Sequence, residues 1–324
     1  NPYYIWLSEI ILQQTRVAQG LPYYLKFVEA FPTVEALANA SEGNILKLWQ
    51  GLGYYSRARN LHFTAKYIVN ELNGVFPKEY QGLITLKGVG DYTASAIASI
   101  CYNEPTAVVD GNVYRVLSRV FGKNTPINST QGIKEFKMLA QKLLDKEHPG
   151  TYNQALMEFG ARHCVPQNPD CSNCIFNDRC EAYKNNTVGE LPVKLKKLKV
   201  KKRHFNYIVI LSENNSTLLQ KRTGKGIWQE LYEFPLVEST TEINEAQLKA
   251  LKAFQELEKK YQLSEVTRYN ETLVVHKLSH QHLYTRFWIA SASAKIENSI
   301  AIKSVRDYAV PVLLQNFIIE FFRS

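Results

Sequence analysis

Four cysteines, Cys164, Cys171, Cys174 and Cys180, lie within seventeen residues at the spacing C-x6-C-x2-C-x5-C. Four thiolates this close in sequence can hold one metal centre, and zinc and iron–sulfur clusters both use such ligands. Zinc modules usually pair two C-x2-C knuckles, whereas one knuckle with unequal arms favours a 4Fe–4S cluster. Zinc and a pair of disulfides are the alternatives, although the rest of the chain contains only Cys101, which we expect to be an ordinary buried thiol.

Two carboxylates, Asp110 and Glu9, occupy positions from which an acid could take part in a reaction. Asp110 ends an apolar run and precedes a helical pattern, which predicts a helix N-cap. A capping carboxylate is held rigidly in its charged form, and this suits stabilisation of a positive charge on a sugar. Glu9 has strongly apolar neighbours, and the pattern favours a place on a solvent-facing stripe. The alternative is burial with a raised pKa, which would let Glu9 donate a proton near neutral pH.

Two glycines, Gly88 and Gly90, separate two helical patterns in the segment LKGVGDYTA (86–94). Glycine allows positive φ and close approach of a partner, and free amides at the start of the next helix favour a phosphate group. The segment has the form of a helix–hairpin–helix, which grips a DNA backbone without reading its sequence. A plain turn between two helices is the alternative.

The elements that must position these residues form two predicted domains. Helical periodicity runs almost throughout residues 1–184, which predicts an all-α domain that ends in the cysteine segment. After the linker, runs rich in β-branched and aromatic residues replace the helical periodicity, and residues 204–324 are predicted to form an α+β domain. Its strands are expected at 205–211, 218–222, 273–276 and 283–290, and its helix at 244–261.

Residues 185–203 are predicted to link the two domains. Seven basic residues and no acidic one lie between Lys194 and Arg203. This segment forms either a solvated tether or a strap along a phosphate backbone, where each contact would steepen the salt dependence of binding.

The composition points to a nucleic acid as the partner. The 324 residues carry a formal charge of +9, and the pI is near 9.1. No apolar run approaches the roughly 20 residues that a membrane span needs. We therefore expect no membrane association and a cytoplasmic, nucleoid-associated bacterial protein. Because a helical pattern begins almost at Asn1, we also expect a short N-terminal segment to be missing.

Together these motifs resemble the helix–hairpin–helix DNA glycosylases that carry an iron–sulfur cluster. More narrowly, the chain is similar to the MutY-type adenine DNA glycosylases. The distinguishing strings are SE (8–9) with LQQT (12–15), GLGYYSR (51–57) and DGN (110–112). The resemblance covers nearly the whole chain and is strongest in residues 1–185.

The resemblance implies the chemistry of the site. Such enzymes flip out and remove an undamaged adenine mispaired with 8-oxoguanine. Glu9 would protonate N7 of the adenine, and Asp110 would stabilise the oxocarbenium-like sugar, as paired carboxylates do in glycoside hydrolysis. Tyr92 and Asn112 match positions that support the sugar site.

The resemblance also implies which residues contact DNA. Gln14 and Tyr54 match residues that press into the base stack, although ordinary packing in a helix turn would equally explain them. In the second domain, a loop between two strands inspects the 8-oxoguanine, and here Ser279 and His280 are the recognition candidates. Leu278 stands where phenylalanine is common, and a β-turn with exposed polar residues is the alternative reading.

The second domain resembles the Nudix-like domain of these glycosylases, most clearly in the string GIWQELYEFP (226–235). A working Nudix helix needs several carboxylates to bind metal. The segment QELEKK (255–260) has lysines in their place, so we predict no nucleotide hydrolase activity.

Three other functions compete with adenine excision. Endonuclease III-type enzymes, which also cut the strand, carry a Schiff-base lysine where this chain has Tyr92 and lack the acid at Glu9. Lys87 precedes the first hairpin glycine and is not the matching position. A non-catalytic iron–sulfur DNA-binding protein would not need both carboxylates, and a Nudix hydrolase with a DNA-binding appendage is the third. We therefore predict a monomeric, monofunctional glycosylase acting on double-stranded DNA with adenine opposite 8-oxoguanine.

Overall fold

The computed structural model describes residues 1–195, 200–294 and 296–322. By its contacts the chain divides into two units, Asn1–Ala40 with Arg59–Lys197, and Ser41–Ala58 with Leu198–Ser324. The segment Ser41–Ala58, which the sequence assigns to the helical domain, therefore groups with the second unit. The domain limits at 184 and 204 stay a prediction.

Residues 1–195, all of which are described, contain helices and no strand, as the periodicity predicted. Polar caps determine where several helices begin: Ser41 Oγ accepts from Asn44 N at 3.2 Å and Ser129 Oγ from Gly132 N at 3.0 Å. The helices are α1 (Pro2–Leu12), α2 (Val17–Ala30), α3 (Val34–Asn39), α4 (Glu42–Trp49), α5 (Ser56–Glu71), α6 (Tyr80–Leu83), α7 (Asp91–Tyr102), α8 (Gly111–Val120), α9 (Thr130–Leu143), α10 (Pro149–Arg162) and α11 (Glu181–Lys184).

Helix α7 is the buried centre of the first unit. Its residues 93–99 are all buried and mostly small, so α1 and α10 can pack closely against it. A Cβ atom on Gly150 of α10 would lie 2.8 Å from the carbonyl oxygen of Ser99, so only glycine allows this approach. Cys101, near the end of α7, is half-buried rather than buried as predicted. The packing fixes the start of α7, which follows directly on the glycine hairpin.

The first part of the predicted linker lies on the first unit rather than forming a free tether. Arg119 Nε donates to the carbonyl oxygens of Val188 at 3.0 Å and Leu191 at 3.2 Å. Leu195 N donates to Asn128 Oδ1 at 2.7 Å. Residues 188–195 are therefore held by hydrogen bonds.

The basic half of that linker is only partly described. Lys196, Lys197 and Lys199 lie outside the described residues, so the phosphate strap stays a hypothesis there. The first strand begins at Lys201, three residues before the predicted domain boundary.

The second unit contains a sheet in which the longest strands are parallel. The elements after residue 200 are β1 (Lys201–Ser212), β2 (Ser216–Thr217), β3 (Gln220–Lys221), β4 (Tyr232–Glu233), β5 (Leu236–Ser239), α12 (Glu245–Lys249), α13 (Lys252–Tyr261), β6 (Leu263–Arg268), β7 (Val274–Lys277), β8 (Gln281–Ala292), β9 (Ile300–Ala301), a 3-10 helix (Ile302–Asp307) and α14 (Val312–Phe321). The strand order is β6-β8-β1-β2-β9, with β5 paired to β1 and β7 paired to β8. Strands β3 and β4 form a separate pair.

Two sequence predictions in this unit need correction. The strand expected at 218–222 is replaced by the shorter β2 and β3, and the helix expected at 244–261 is broken between α12 and α13. Leu251, at the break, has an extended backbone and precedes α13 as its N-cap. The strands expected at 205–211, 273–276 and 283–290 correspond to β1, β7 and β8.

A buried ion pair stabilises this unit beside its apolar core. Arg222 Nη1 donates to both carboxylate oxygens of Glu233 at 2.7 Å, and the hydroxyl of Tyr207 donates to Glu233 Oε2 at 3.1 Å. Glu233 is 4% exposed, and burial raises its pKa while its hydrogen bonds to Arg222 lower it. Removing the carboxylate would leave a buried guanidinium without its counter-charge.

We expect Glu233→Gln to cost about 3 kcal/mol of folding stability, because one partner of a buried pair is lost. Differential scanning calorimetry of the full chain should show a thermal midpoint lower by several degrees. The matched control is Glu238→Gln, which breaks a more exposed pair with Arg203 and should cost less than about 1 kcal/mol. Equal midpoints for the two variants would contradict this account.

Candidate active site and cysteine cavity

Asp110 caps helix α8, as the sequence predicted. Its Oδ1 accepts hydrogen bonds from Asn112 N at 2.9 Å and Val113 N at 2.7 Å. Its Oδ2 accepts from Asn112 Nδ2 at 2.8 Å, so the amide side chain faces the same carboxylate. Gly160 allows α10 to pack closely against Asn112, since a Cβ atom on residue 160 would lie 2.7 Å from Asn112 Cβ. Both predicted residues therefore form one rigid group at the start of α8.

Glu9, Tyr92 and Asp110 lie together although they come from three helices. The hydroxyl of Tyr92, which donates to Met157 Sδ at 3.7 Å, also interacts with the Glu9 carboxylate, and Asp110 acts electrostatically on both groups. Burial raises the pKa of Glu9, the hydrogen bond from Tyr92 lowers it, and the negative charge of Asp110 raises it again. The net shift is upward. Glu9 is half-buried on α1, so the solvent-facing stripe favoured by the sequence pattern is wrong.

The glycine hairpin between α6 and α7 has the predicted geometry. Gly88 has φ of +82°, and a Cβ atom there would lie 2.7 Å from Asn60 Cβ of α5. Both the backbone conformation and the packing therefore require glycine at this position. Thr64 Oγ1, also on α5, donates to the carbonyl oxygen of Lys87 at 2.8 Å. Gly90 is exposed, and a Cβ there would meet no atom within 4 Å. The side of the hairpin at Gly90 is therefore open to a partner.

Gln14 and Tyr54 share an uncommon backbone conformation. Their φ values are +58° and +47°, and both side chains are exposed. Within residues 1–195, every other non-glycine residue with positive φ is an asparagine, the residue that tolerates this region best. Strained backbone of this kind collects at binding and catalytic sites. Several other residues of the second unit that are neither glycine nor asparagine share this conformation, so the DNA contacts of Gln14 and Tyr54 stay predictions.

Tyr54 and the predicted recognition loop meet within the second unit. The Tyr54 hydroxyl and Ser279 Oγ are joined by a hydrogen bond. Leu278 N donates to the carbonyl oxygen of Gln281 at 2.8 Å, which closes the loop between β7 and β8 with Ser279 and His280 exposed at its centre. A turn with exposed polar residues and a role of Ser279 and His280 in recognition are therefore compatible interpretations.

Arg57 ends the motif GLGYYSR (51–57), and the structure places its guanidinium against the ring of Tyr54. Its guanidinium lies 5.0 Å from the ring centroid of Trp49 and 5.7 Å from that of Tyr54. Burial lowers its pKa to about 10, so it remains charged at neutral pH. Arg57 also donates to the carbonyl oxygen of Gly53 at 3.2 Å, which fixes the loop that presents Tyr54.

Arg115 joins the Asp110 site to the cysteine segment, and no sequence signal distinguished it from a solvated helix residue. Its Nη2 donates to Asn112 Oδ1 at 3.0 Å and to the carbonyl oxygen of Gly160 at 2.6 Å. Its Nε donates to the carbonyl oxygen of Cys164 at 2.7 Å. The orientation of the Asn112 amide is therefore set by the same side chain that holds the first cysteine.

The four predicted cysteines line one cavity. Their thiols are free, so the disulfide alternative is not supported. Arg119, only 2% exposed, donates to Cys164 Sγ at 3.5 Å and to the carbonyl oxygens of Val165 and Pro166 at 2.7 and 3.0 Å. Phe176 N donates to Cys174 Sγ at 3.4 Å. A donor set of four thiols with nearby N–H groups fits a thiolate-bound iron–sulfur centre.

Comparisons with known proteins show the family to which the chain belongs. Residues 7–142 match the HhH-GPD superfamily of base excision DNA repair proteins, and residues 206–320 match the NUDIX domain. The adenine DNA glycosylase of Buchnera aphidicola subsp. Baizongia pistaciae is 36% identical over 287 residues, which cover 86% of this chain and 81% of that protein. The chain belongs to the adenine DNA glycosylase family. It is thus related to DNA-binding enzymes of base excision repair.

Longer relatives match over a smaller share of their length. The mouse adenine DNA glycosylase is 46% identical over 190 residues, which cover 58% of this chain and 37% of that protein. Among solved structures, a thermostable thymine-DNA glycosylase has a TM-score of 0.53 at 29% identity, covering 57% of this chain and 85% of its own. An endonuclease III–DNA complex has a TM-score of 0.52 at 23% identity, covering 57% of this chain and 86% of its own. This likeness shows a shared fold.

Family membership bears out the predicted fold class, with a helical glycosylase part and a Nudix-like part that contains the sheet. Within the described residues, no helix is both long and apolar enough to span a membrane.

Proposed function

We propose that the enzyme excises adenine paired with 8-oxoguanine and leaves the strand intact. The observation that carries this proposal is the grouping of Glu9, Tyr92 and Asp110, in which one acid has a raised pKa and the other is a rigid helix cap. Two carboxylates held in different environments can divide the work of glycosidic cleavage, one as acid and one as stabilising anion.

Each residue then has a defined task. Glu9 in its protonated form donates a proton to N7 of a flipped-out adenine, so that the base leaves as a neutral molecule. Asp110 faces the positive charge that develops on the sugar, and Asn112 keeps its carboxylate oriented. Tyr92 interacts with the Glu9 carboxylate and helps to position that acid beside Asp110.

Strand cleavage would need an amine at the sugar, and Tyr92 occupies the position where a lyase has its lysine. Two nearby lysines are engaged elsewhere. Lys137 Nζ donates to Asp91 Oδ2 at 2.9 Å, Ser95 Oγ at 3.0 Å and the carbonyl oxygen of Ala107 at 2.7 Å. Lys87 Nζ lies 4.2 Å from the ring centroid of Phe63. Lys137 is therefore engaged by three oxygen atoms, and Lys87 precedes the hairpin and does not match the position of the lyase lysine.

Borohydride trapping tests this part of the proposal. The enzyme is incubated with a duplex that carries adenine opposite 8-oxoguanine, in the presence of borohydride, and the products are separated on denaturing gels. We expect no covalent enzyme–DNA adduct and no strand break before alkali is added. A trapped adduct with spontaneous nicking would favour the endonuclease III-type alternative instead.

The DNA contacts follow from the same geometry. The open amides at Gly90 and the start of α7 suit a phosphate group, and Gln14 is an exposed, strained residue suited to insertion between bases. Tyr54 and Ser279, joined by a hydrogen bond, are proposed to face the 8-oxoguanine together with His280. Leu278 lacks the aromatic ring that is common at its position. Tyr54 is therefore proposed as the aromatic side chain that contacts the 8-oxoguanine.

We expect Ser279→Ala to lower the preference for adenine opposite 8-oxoguanine over adenine opposite guanine. The loss should be about fivefold, because one hydrogen bond contributes about 1 kcal/mol. Single-turnover rates on the two duplexes give this ratio. Ser279→Thr, which keeps the hydroxyl, and Ser299→Ala, an exposed serine outside the turn, should leave the ratio close to that of the wild type. An unchanged ratio in Ser279→Ala would remove this residue from recognition.

We propose that Cys164, Cys171, Cys174 and Cys180 hold a 4Fe–4S cluster. The four thiols, spaced C-x6-C-x2-C-x5-C, surround one cavity. This spacing suits a multi-atom cluster better than zinc. When bound, the cluster supplies structural cross-linking and a redox centre. Iron and sulfide analysis with a broad absorption band near about 400 nm would test it, and a colourless protein that contains zinc would contradict it.

The remaining proposals concern the second domain and the whole protein. In α13, Glu256 lies 4.0 Å from Lys252 in an exposed pair and Glu258 is followed by two lysines, so the helix offers few carboxylates for a nucleotide-bound metal. We propose that this domain does not hydrolyse oxidised nucleotides. A monomeric state, a cytoplasmic, nucleoid-associated location and the domain limits of the sequence prediction belong to the same proposal.

A further inference from the structure

His163 has a buried nitrogen without a partner at the wall of the cysteine cavity. The residue directly precedes Cys164 at the end of α10 and lines the same cavity as the four thiols. Its Nε2 is inaccessible to solvent and makes no hydrogen bond. A buried polar nitrogen left unpaired costs about 1–3 kcal/mol, so such atoms nearly always face a partner.

The imidazole ring of His163 is held in place by aromatic neighbours. It stacks on Phe159 with 5.3 Å between ring centroids and an interplanar angle of 23°. Phe159 in turn packs edge-on against Phe176 at 5.3 Å, and all three residues line the cavity. The ring therefore cannot easily turn its nitrogen towards solvent.

Asp170, an acidic residue close to His163, does not accept a hydrogen bond from its buried nitrogen. Asp170 lies close enough for His163 to influence it, since hydrogen bonds from Asn173 and Ser172, and then the charge of His163, lower its pKa. Its Oδ1 accepts from Ser172 Oγ at 3.0 Å and its Oδ2 from Asn173 Nδ2 at 2.9 Å. The carboxylate is exposed, whereas the His163 nitrogen is buried, so Asp170 does not satisfy that nitrogen.

We propose that His163 Nε2–H donates a hydrogen bond to a sulfur atom of the bound iron–sulfur centre, either a sulfide or a cysteine sulfur. This inference rests on the proposed cluster and adds a positioning and tuning role for one residue of this chain. Hydrogen bonds to the sulfurs help to set the reduction potential of such clusters. A donor stabilises the more negative, reduced form, so His163 raises the reduction potential of the cluster.

The test compares the full-length wild type with His163→Phe, His163→Gln and Asp170→Asn. Phenylalanine keeps a ring that can stack on Phe159 but removes the donor, while glutamine keeps an N–H donor. Asp170→Asn changes the nearby charge without touching the donor. Iron and sulfide content is measured first, and redox titration at one fixed pH follows on samples with equal cluster occupancy.

We expect the ratio of reduced to oxidised cluster, at a fixed ambient potential, to fall about tenfold in His163→Phe. His163→Gln should recover part of that loss, and Asp170→Asn should change the ratio much less. An unchanged ratio in His163→Phe at equal iron content would overturn the proposal. Wild-type protein without iron would instead overturn the proposed cluster itself, so the two failures are distinguishable.

Pulsed electron paramagnetic resonance provides a second measurement, which holds even where His163→Phe binds less iron. Wild-type protein labelled with nitrogen-15 in histidine should show hyperfine coupling between a ring nitrogen and the paramagnetic cluster. The coupling should disappear in whatever fraction of His163→Phe retains the cluster. Absence of this coupling in the wild type would contradict the hydrogen bond.

Discussion

Replacement of Glu9 by glutamine should lower the rate of adenine excision by roughly 10²- to 10⁴-fold, the range that general acid catalysis contributes. Glutamine has nearly the same shape and can keep the contact with Tyr92, but it cannot give a proton to the base. The measurement is a single-turnover rate on a duplex with adenine opposite 8-oxoguanine. Binding of the same duplex, followed by fluorescence anisotropy, should change little.

Protein stability is the control for this variant. Because burial raises the pKa of Glu9, its charged form is disfavoured in the folded state, and the stabilising effect of protonation is lost as the pH rises through that pKa. At neutral pH, Glu9→Gln should therefore unfold at a temperature no lower than the wild type. A lower midpoint would mean that lost packing, rather than lost acidity, explains the slower excision.

The pH dependence of the wild type should show the same group. Only protonated Glu9 can donate, so the single-turnover rate should fall as the pH rises through its pKa, which lies above the ordinary value of 4.5. Well above that pKa the rate should drop about tenfold per pH unit. In Glu9→Gln the residual rate should lack this decline, and an identical decline in the variant would assign it to another group.

Asp110→Asn should lower excision about a thousandfold, as expected when a preorganised group that stabilises transition-state charge is removed. Asparagine caps helices about as well as aspartate, so the two backbone hydrogen bonds at the start of α8 can persist. The variant therefore separates the catalytic role of the negative charge from its role as a cap. Single-turnover kinetics and helical circular dichroism would be measured on the same samples.

Asp110→Ala is the matched comparison, since it removes both the charge and the cap. It should lose stability by about 1 kcal/mol in addition to its activity. Excision at the wild-type rate in Asp110→Asn would contradict the proposed role of Asp110. Loss of helical signal in Asp110→Asn would instead show that the asparagine fails as a cap.

Local signals in the sequence predicted much of this molecule. The Asp110 cap, the Gly88 turn and the cysteine spacing depend on a few consecutive residues, and the structure shows the cap and the positive φ where they were expected. The long strands β1 and β8 were predicted because their apolar runs are long. Strands of two residues, such as β2 and β9, contain too few side chains to produce a pattern.

Features that depend on distant parts of the chain could not be predicted in this way. Glu9 has strongly apolar neighbours, and the pattern of its own helix favoured a solvent-facing position, whereas its burial arises from packing against the helix that carries Tyr92. Arg115 and Arg119 look like ordinary basic residues on α8, yet both donate to carbonyl oxygens in the cysteine segment. Such contacts follow from the fold and leave no trace in residue spacing.

The central claim is that this chain releases adenine opposite 8-oxoguanine and does not cut the strand. The direct measurement uses excess wild-type enzyme with intact cluster on a duplex containing one such pair, with the freed base identified by mass spectrometry. The account predicts free adenine, an abasic strand that breaks only after alkali, and slower release from a duplex with adenine opposite thymine. Adenine that remains attached to the 8-oxoguanine duplex, or equal release from both duplexes, would contradict it.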